Sequence, residues 1–141
     1  MIIPQNELTI ILRVIIAALL GLVIGWQRER KKVVQHEYGA AGLRTHAIVS
    51  VGAALITAAG ILSFPADPVR VAASIMTGIG FIGAGTIIAT QGKIKGLTTA
   101  ASVWTAATVG IASGIGLFAS SIAATLIIVL LLELSRFEKI E

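Results

Sequence analysis

The sequence contains no cysteine and few charged residues. The absence of cysteine among its 141 residues excludes a disulfide framework, a thiolate nucleophile and a zinc–cysteine site. Charged residues make up 13% of the chain and hydrophobic residues 56%. A soluble domain of this size needs far more charge to cover its surface. The composition therefore predicts a single membrane domain over residues 1–141.

Charge is missing over stretches long enough to cross a bilayer. Residues 47–64 and 71–92 carry none, and residues 96–132 form one uncharged run of 37. As one helix this run would be about 55 Å long, nearly twice the hydrocarbon thickness, so we expect it to fold back at Gly114-Ile-Gly116. We predict an all-α membrane protein whose five transmembrane helices cover about residues 8–26, 46–64, 70–90, 97–113 and 117–134.

The basic residues cluster on one side of this topology. Nine of the eleven follow predicted helices 1, 3 and 5, whereas Arg13 and Arg70 lie near the other side. Under the positive-inside rule, the N-terminus lies outside and the C-terminus in the cytoplasm. The net charge of +4 is then explained by basic residues that lie beside the anionic lipid headgroups of the cytoplasmic side. This placement argues against a nucleic-acid partner.

An internal repeat relates the first four predicted helices. Residues Gly42–Phe64 resemble Gly96–Phe118, and both segments begin with Gly-Leu-x-Thr. We predict two tandem parallel-repeat hairpins, helices 1–2 and 3–4, followed by helix 5. The alternative is chance matching between helices rich in alanine and glycine. The threonines of the shared start, Thr45 and Thr99, could cap their helices.

The stretch Gly78-Ile-Gly80-Phe-Ile-Gly83 has the glycine spacing of a dinucleotide-binding fingerprint but not its structural context. That fingerprint needs a strand before it and a helix after it, whereas these glycines lie inside an uncharged run. Small residues let membrane helices approach closely, so we expect Gly78, Gly80, Gly83 and Gly85 to make helix 3 the central, most crowded helix. The alternative is that glycine carbonyls of an opened helix line a permeation path.

Few residues are candidates for binding an ion. None of the seven acidic residues lies well inside the predicted membrane region. Glu29 either pairs with Arg44 or receives a cation. Asp67 either caps helix 3 or captures an external cation, gated by its pairing with Arg70. Because Mg²⁺ keeps several waters and usually takes one or two carboxylates, an interfacial Mg²⁺ site is feasible at Glu29 or Asp67.

Arg13 lies within the first apolar segment. Such a charge either faces the protein interior, here towards Asp67 or Glu7, or snorkels to the interface. His36 and His46 have no further ligand at metal-binding spacing, and no nucleophile motif is present. We therefore predict neither an enzyme nor a resident cofactor.

Four segments together resemble the MgtC/SapB family of bacterial inner-membrane proteins. They are "GLVIGWQRE" (21–29), "AGLRTHAIVSVGAAL" (41–55), "DPVRVAASIMTGIGFIGAGTI" (67–87) and "KGLTTAASVWTAATVGIASGIG" (95–116). The chain is similar to the short, membrane-only form, and this resemblance implies that it has no soluble C-terminal domain of the kind that many members carry. The family's motif residues correspond to Arg28, Glu29, Gly42, Arg44, Thr45, His46, Asp67, Arg70, Gly78, Gly80, Gly83, Gly85, Thr99 and Trp104. Arg30 also belongs to the cytoplasmic basic motif. Family members often have glutamate where this chain has Gln27. Its absence would leave Glu29 as the only carboxylate at the cytoplasmic end of helix 1.

The resemblance implies a role in growth or survival at low magnesium, often in pathogens within host cells. One interpretation is Mg²⁺ transport, which needs a polar track, here through Thr77, Thr86, Thr99, Ser102, Thr105 and Thr108. The alternative is a regulator that does not transport but binds another membrane complex, such as the F-type ATP synthase. Because the domain is small and rich in glycine and alanine, we expect a homodimer or higher homo-oligomer in the lipid bilayer.

Overall fold

The computed structural model describes residues 7–35, 41–65, 67–90 and 93–134. Within these ranges the chain forms five α-helices and one short β-hairpin. The elements are α1 (Glu7–Gln35), α2 (Leu43–Ser63), α3 (Pro68–Ala84), β1 (Ile88–Thr90), β2 (Lys93–Lys95), α4 (Leu97–Ile115) and α5 (Phe118–Leu134). The predicted all-helical class is confirmed. His36, Arg136 and Lys139 lie outside the described residues.

Two of the five helices are long and apolar enough to cross a membrane. They are α1 over Glu7–Arg30 and α2 over Leu43–Ser63. Helices α3 and α5 are apolar but have only 17 residues each, or about 25 Å of helix. Large apolar side chains such as Ile48, Phe81 and Leu130 are exposed, which is typical of a lipid-facing surface. Membrane crossing by α3, α4 and α5, and the predicted repeat of hairpins, stay predictions.

Helices α1, α2 and α4 form the closely packed centre of the fold. Glycines bring their backbones together: a Cβ atom on Gly110 would overlap the Ser50 carbonyl, and one on Gly114 would lie 2.6 Å from the Ala54 oxygen. A Cβ on Gly21 would lie 2.8 Å from the His46 oxygen. Such contacts exclude any larger residue, so these glycines determine how closely the three helices approach.

The prediction that helix 3 is the most crowded helix is wrong. Gly78 and Gly80 on α3 are exposed, and a Cβ atom on either would meet nothing within 4 Å. Gly83 alone of the motif is buried, and a Cβ there would lie 3.7 Å from Ala100. The close packing belongs to α1, α2 and α4, because their glycines face another helix, whereas Gly78 and Gly80 of α3 do not.

Helix α3 also ends earlier than predicted. It stops at Ala84, where the Gly85 amide donates to the Phe81 carbonyl at 3.1 Å and the Thr86 hydroxyl donates to the Gly83 carbonyl at 2.7 Å. The β-branched residues that follow favour extended backbone, and Ile88 pairs with Lys95 in an antiparallel hairpin. The predicted helix to residue 90 is therefore replaced by a turn and a strand.

The predicted turn between the last two helices is confirmed. Gly116 has a φ of +101°, the left-handed conformation in which glycine is favoured. Its amide donates to the Ser113 carbonyl and the Leu117 amide donates to the Ala112 carbonyl, both at 2.9 Å. This is the Schellman arrangement that ends a helix and reverses the chain.

Candidate functional site

Buried polar side chains converge at one end of the helical centre, where α1 and α5 end and α2 and α4 begin. We call this end the polar end. Its buried polar side chains are Gln27, Arg28, His46, Thr99 and Ser102. Polar groups are buried at a cost unless they are hydrogen-bonded, so a cluster of five indicates a specific arrangement.

Arg28 connects α1 to α4. Its Nη2 donates to Thr99 Oγ1 at 2.8 Å, and both side chains are buried. A hydrogen bond from a guanidinium is stronger than one between neutral groups. The sequence-predicted residues Arg28 and Thr99 therefore meet, although 71 positions separate them.

His46 connects α2 to α4 through Ser102. Its Nδ1 lies 2.7 Å from the Gly42 carbonyl, so Nδ1 carries the proton of that hydrogen bond, and its Nε2 lies 2.9 Å from Ser102 Oγ. The Ser102 oxygen also lies 2.8 Å from the Thr99 carbonyl. A hydroxyl has one proton to donate. With a neutral imidazole it donates to Nε2, and with an imidazolium it donates to the Thr99 carbonyl. The charge of His46 thus selects a hydrogen bond at the start of α4.

Glu29 caps α2 from the neighbouring helix. Its Oε2 accepts a hydrogen bond from the Leu43 amide at 3.1 Å, and a Cβ atom on Gly42 would overlap the carboxylate. Within the described residues no ion pair joins Glu29 to Arg44, so the predicted pairing is wrong. A carboxylate at this position satisfies a free amide and complements the helix dipole.

The predicted threonine caps are also wrong. The N-caps of α2 and α4 are Gly42 and Gly96, and neither makes a side-chain capping bond. Thr45 lies partly exposed in the first turn of α2, while Thr99 receives the Arg28 guanidinium instead. A cap supplied from another helix leaves no local pattern, which is why the sequence favoured the threonines.

We expect Glu29→Ala to lower the free energy of unfolding by about 1 kcal/mol, as for the loss of a helix cap. Glu29→Gln keeps an acceptor oxygen for the Leu43 amide and should lose less than half of that. Thermal unfolding of the two variants in detergent checks this. Equal losses in both variants would mean that the charge of Glu29, and not its hydrogen bond, stabilises the protein.

A second carboxylate reaches the polar end from α5. Gln27, only 3% exposed, donates from Nε2 to Glu133 Oε1 at 3.2 Å. The expectation that Glu29 is the only carboxylate at this end is therefore wrong. Gln27 Oε1 is buried and has no hydrogen-bond partner within the described residues. The signal in the sequence was that Glu133 ends the long uncharged run on the same predicted side as Gln27.

The other predicted motif residues at this end surround the cluster. The Arg30 guanidinium lies 4.7 Å from the centroid of the Trp26 ring, a cation–π contact on the surface. Arg44 is exposed, and Trp104, 47% exposed, faces outward from α4. These residues present positive charge and aromatic area to whatever lies beside the polar end.

The opposite end carries Asp67, Arg70 and Arg13. As predicted, Asp67 caps α3: its carboxylate accepts from the Arg70 amide at 3.2 Å and pairs with Arg70 Nε at 3.0 Å. Arg13 is 1% exposed and its Nη1 donates to the Gly114 carbonyl at 2.9 Å, so it faces the interior and does not snorkel. The sequence did not predict this partner at the end of α4.

The structure does not bring the two predicted metal ligands together. Glu29 lies at the polar end and Asp67 at the opposite end. Within the described residues, no group of three or more His, Cys, Asp or Glu side chains could hold a metal ion. A cation at either end would therefore keep most of its water.

Comparison with known proteins identifies relatives along almost the whole chain. The model of the MgtC family matches residues 14–139. The chain is 42% identical over 118 residues to Protein MgtC of Salmonella typhimurium, an alignment covering 84% of this chain and 48% of the relative. It is 41% identical over 121 residues to Protein MgtC of Brucella abortus, covering 85% and 48%. The chain thus spans about half the length of these curated relatives, and no solved structure matches it.

Proposed function

The chain belongs to the MgtC family, and we propose that it serves magnesium homeostasis in the bacterial inner membrane by regulating another membrane complex. The family implies a magnesium-related function. The proposed orientation puts the N-terminus outside and the polar end in the cytoplasm. The mode of action, regulation in place of transport, is supported by the packing of the helices.

The observation that carries this proposal is the closed contact between α2 and α4. Their backbones touch at Gly110 and Gly114, which leaves no room for a hydrated ion between them. Mg²⁺ gives up its water reluctantly, so a path for it must be wide or lined by carboxylates. The described carboxylates lie at the helix ends, and Glu29 and Asp67 are engaged as caps.

Most of the hydroxyl groups expected to line a polar track are hydrogen-bonded to backbone carbonyls close to them in the chain. Four of them donate to a carbonyl three or four residues earlier in the chain: Thr77, Thr86, Thr105 and Thr108. Ser102 shares its one proton between His46 and the Thr99 carbonyl. Thr99 receives the Arg28 guanidinium. A hydroxyl that donates its proton keeps its oxygen lone pairs for a cation. These hydrogen bonds therefore do not exclude an ion, and the closed contact between α2 and α4 is the support for regulation over transport.

One observation favours transport as the second candidate. Ser50 and Thr57 of α2 are buried, and their hydroxyl oxygens have no hydrogen-bond partner within the described residues. They lie against Gly110 and Gly114, between Arg13 and His46 along the helical centre. If α2 and α4 moved apart, these hydroxyls would face the gap between them.

Reconstitution separates the two candidates. We expect no Mg²⁺ uptake above that of protein-free vesicles when the purified protein is placed in liposomes containing a Mg²⁺-sensitive dye, with or without a membrane potential. An ionophore confirms the dye response, and protease protection confirms insertion. Uptake that Glu29→Gln or Asp67→Asn abolishes would overturn regulation and establish transport. Without uptake, chemical cross-linking in membranes at low Mg²⁺ would identify the regulated complex and any homodimer.

A further inference from the structure

A groove separate from the polar end runs between α2 and α3. Its volume is about 940 Å³, and its walls are mostly apolar, with Ile48, Ile56, Ile75 and Ile82 among them. Gly52 and Gly78 also line it, and neither has an atom within 4 Å of the position of a Cβ. The groove is therefore unfilled by the chain's own side chains.

The polar residues of this groove are concentrated towards one end. Ser63, Asp67 and Arg70 lie where α2 ends and α3 begins, with Ser74 one turn further along α3, whereas the other end is lined by Ile48 and Ile82. Asp67 and Arg70 are 50% and 83% exposed and form an ion pair. The groove thus has a charged mouth at Asp67 and Arg70 and an apolar body along the rest of its length. This arrangement is complementary to an amphipathic ligand.

The length of the groove matches one leaflet of a membrane. Its lining runs from Arg70 to Ile82 on α3, about 18 Å at ~1.5 Å per residue. One leaflet contributes about half of the ~30 Å hydrocarbon core, so the groove is about one leaflet deep.

The charges at the mouth fit a zwitterionic headgroup with a primary amine. Arg70 complements a phosphate, and the Asp67 carboxylate accepts hydrogen bonds from an ammonium. An exposed ion pair contributes little to stability, so exchanging each partner for a lipid group costs little. A choline headgroup has no N–H to donate, and an anionic glycerol headgroup leaves Asp67 without a cation.

We propose that the groove between α2 and α3 binds one phosphatidylethanolamine molecule, with its headgroup on Asp67 and Arg70 and an acyl chain along Gly52 and Gly78. This assignment does not depend on the proposed role in magnesium homeostasis. It adds a lipid site at the end of the fold opposite to the polar cluster.

Native mass spectrometry of the full chain in detergent tests the site, with phosphatidylethanolamine, phosphatidylcholine and phosphatidylglycerol each added at the same concentration. We expect one phosphatidylethanolamine to bind at least about tenfold more tightly than either other lipid. Asp67→Asn keeps a good helix cap but removes the charge, so it should weaken binding severalfold. Arg70→Gln should do the same.

A matched glycine pair tests the apolar body. Gly78→Leu fills the groove and should abolish phosphatidylethanolamine binding. Gly80→Leu, at an equally open position outside the groove lining, should leave it unchanged. Equal binding of the three lipids, or unchanged binding in Gly78→Leu, would overturn the proposal. So would a dimer that Gly78→Leu dissociates irrespective of lipid, because the occupant would then be a second copy of the chain.

Discussion

Gly110→Ala is expected to destabilise the protein by about 1–3 kcal/mol, the usual cost of overpacking a well-packed core, or by more. The added Cβ atom would overlap the Ser50 carbonyl and lie 2.9 Å from Ala53 Cβ. The overlapped group is backbone, so no rotamer change relieves the clash, and α2 must move away from α4. Thermal unfolding in detergent, followed by far-UV circular dichroism and by the monodisperse fraction, measures the loss.

Gly52→Ala is the matched control for this prediction. Gly52 is also a helical glycine, but a Cβ atom there meets nothing within 4 Å. Its replacement should change stability by no more than about 1 kcal/mol, in the stabilising direction expected from helix propensity. If both variants unfolded alike, the close contact of α2 and α4 would be wrong, and with it the argument that the interior is closed to a hydrated ion.

Thr99→Val is expected to lower the free energy of unfolding by about 1.5–3 kcal/mol, the range for a hydrogen bond to a charged group. Valine has the shape of threonine but cannot accept the hydrogen bond from Arg28 Nη2. The guanidinium is buried, so water cannot easily replace the lost acceptor. Thermal unfolding in detergent measures this loss. A second measurement is the growth rate, at low Mg²⁺, of cells whose growth depends on the protein.

Two variants separate the hydrogen bond from other effects of this substitution. Thr99→Ser retains the hydroxyl oxygen and should recover most of the stability. Thr98→Val changes the neighbouring exposed threonine and should have little effect, as is usual for surface positions. A Thr98→Val variant as unstable as Thr99→Val would show that valine disrupts the start of α4 generally and that the Arg28 contact contributes little.

The two predictions concern different parts of the proposed mechanism. Gly110 tests whether the helical centre is closed, and Thr99 tests whether α1 and α4 are held together at the polar end. A regulator needs a stable surface at that end, where Arg30, Arg44 and Trp26 are exposed. Loss of growth at low Mg²⁺ in Thr99→Val, with folded protein still present, would connect this end to function.

Features that depend on neighbouring residues were predictable from the sequence. The all-helical apolar chain, the cap at Asp67, its pairing with Arg70 and the turn at Gly116 all follow from composition or from residues within a few positions of one another. The family resemblance rests likewise on contiguous motifs. The hydropathy pattern predicted the end of α3 too late in the chain, because hydropathy does not distinguish an apolar helix from the apolar strand that follows it.

The sequence by itself determined the helical class, the helix ends marked by caps and glycines, and the family. Only the tertiary structure decided which partners the polar residues at the helical centre have. Arg28 donates a hydrogen bond to Thr99, Arg13 to Gly114 and Gln27 to Glu133, across separations of 71, 101 and 106 residues. Glu29 caps a helix that is not its own. Such partners depend on which helices pack together and at what rotation, and close contacts such as that at Gly110 set this packing.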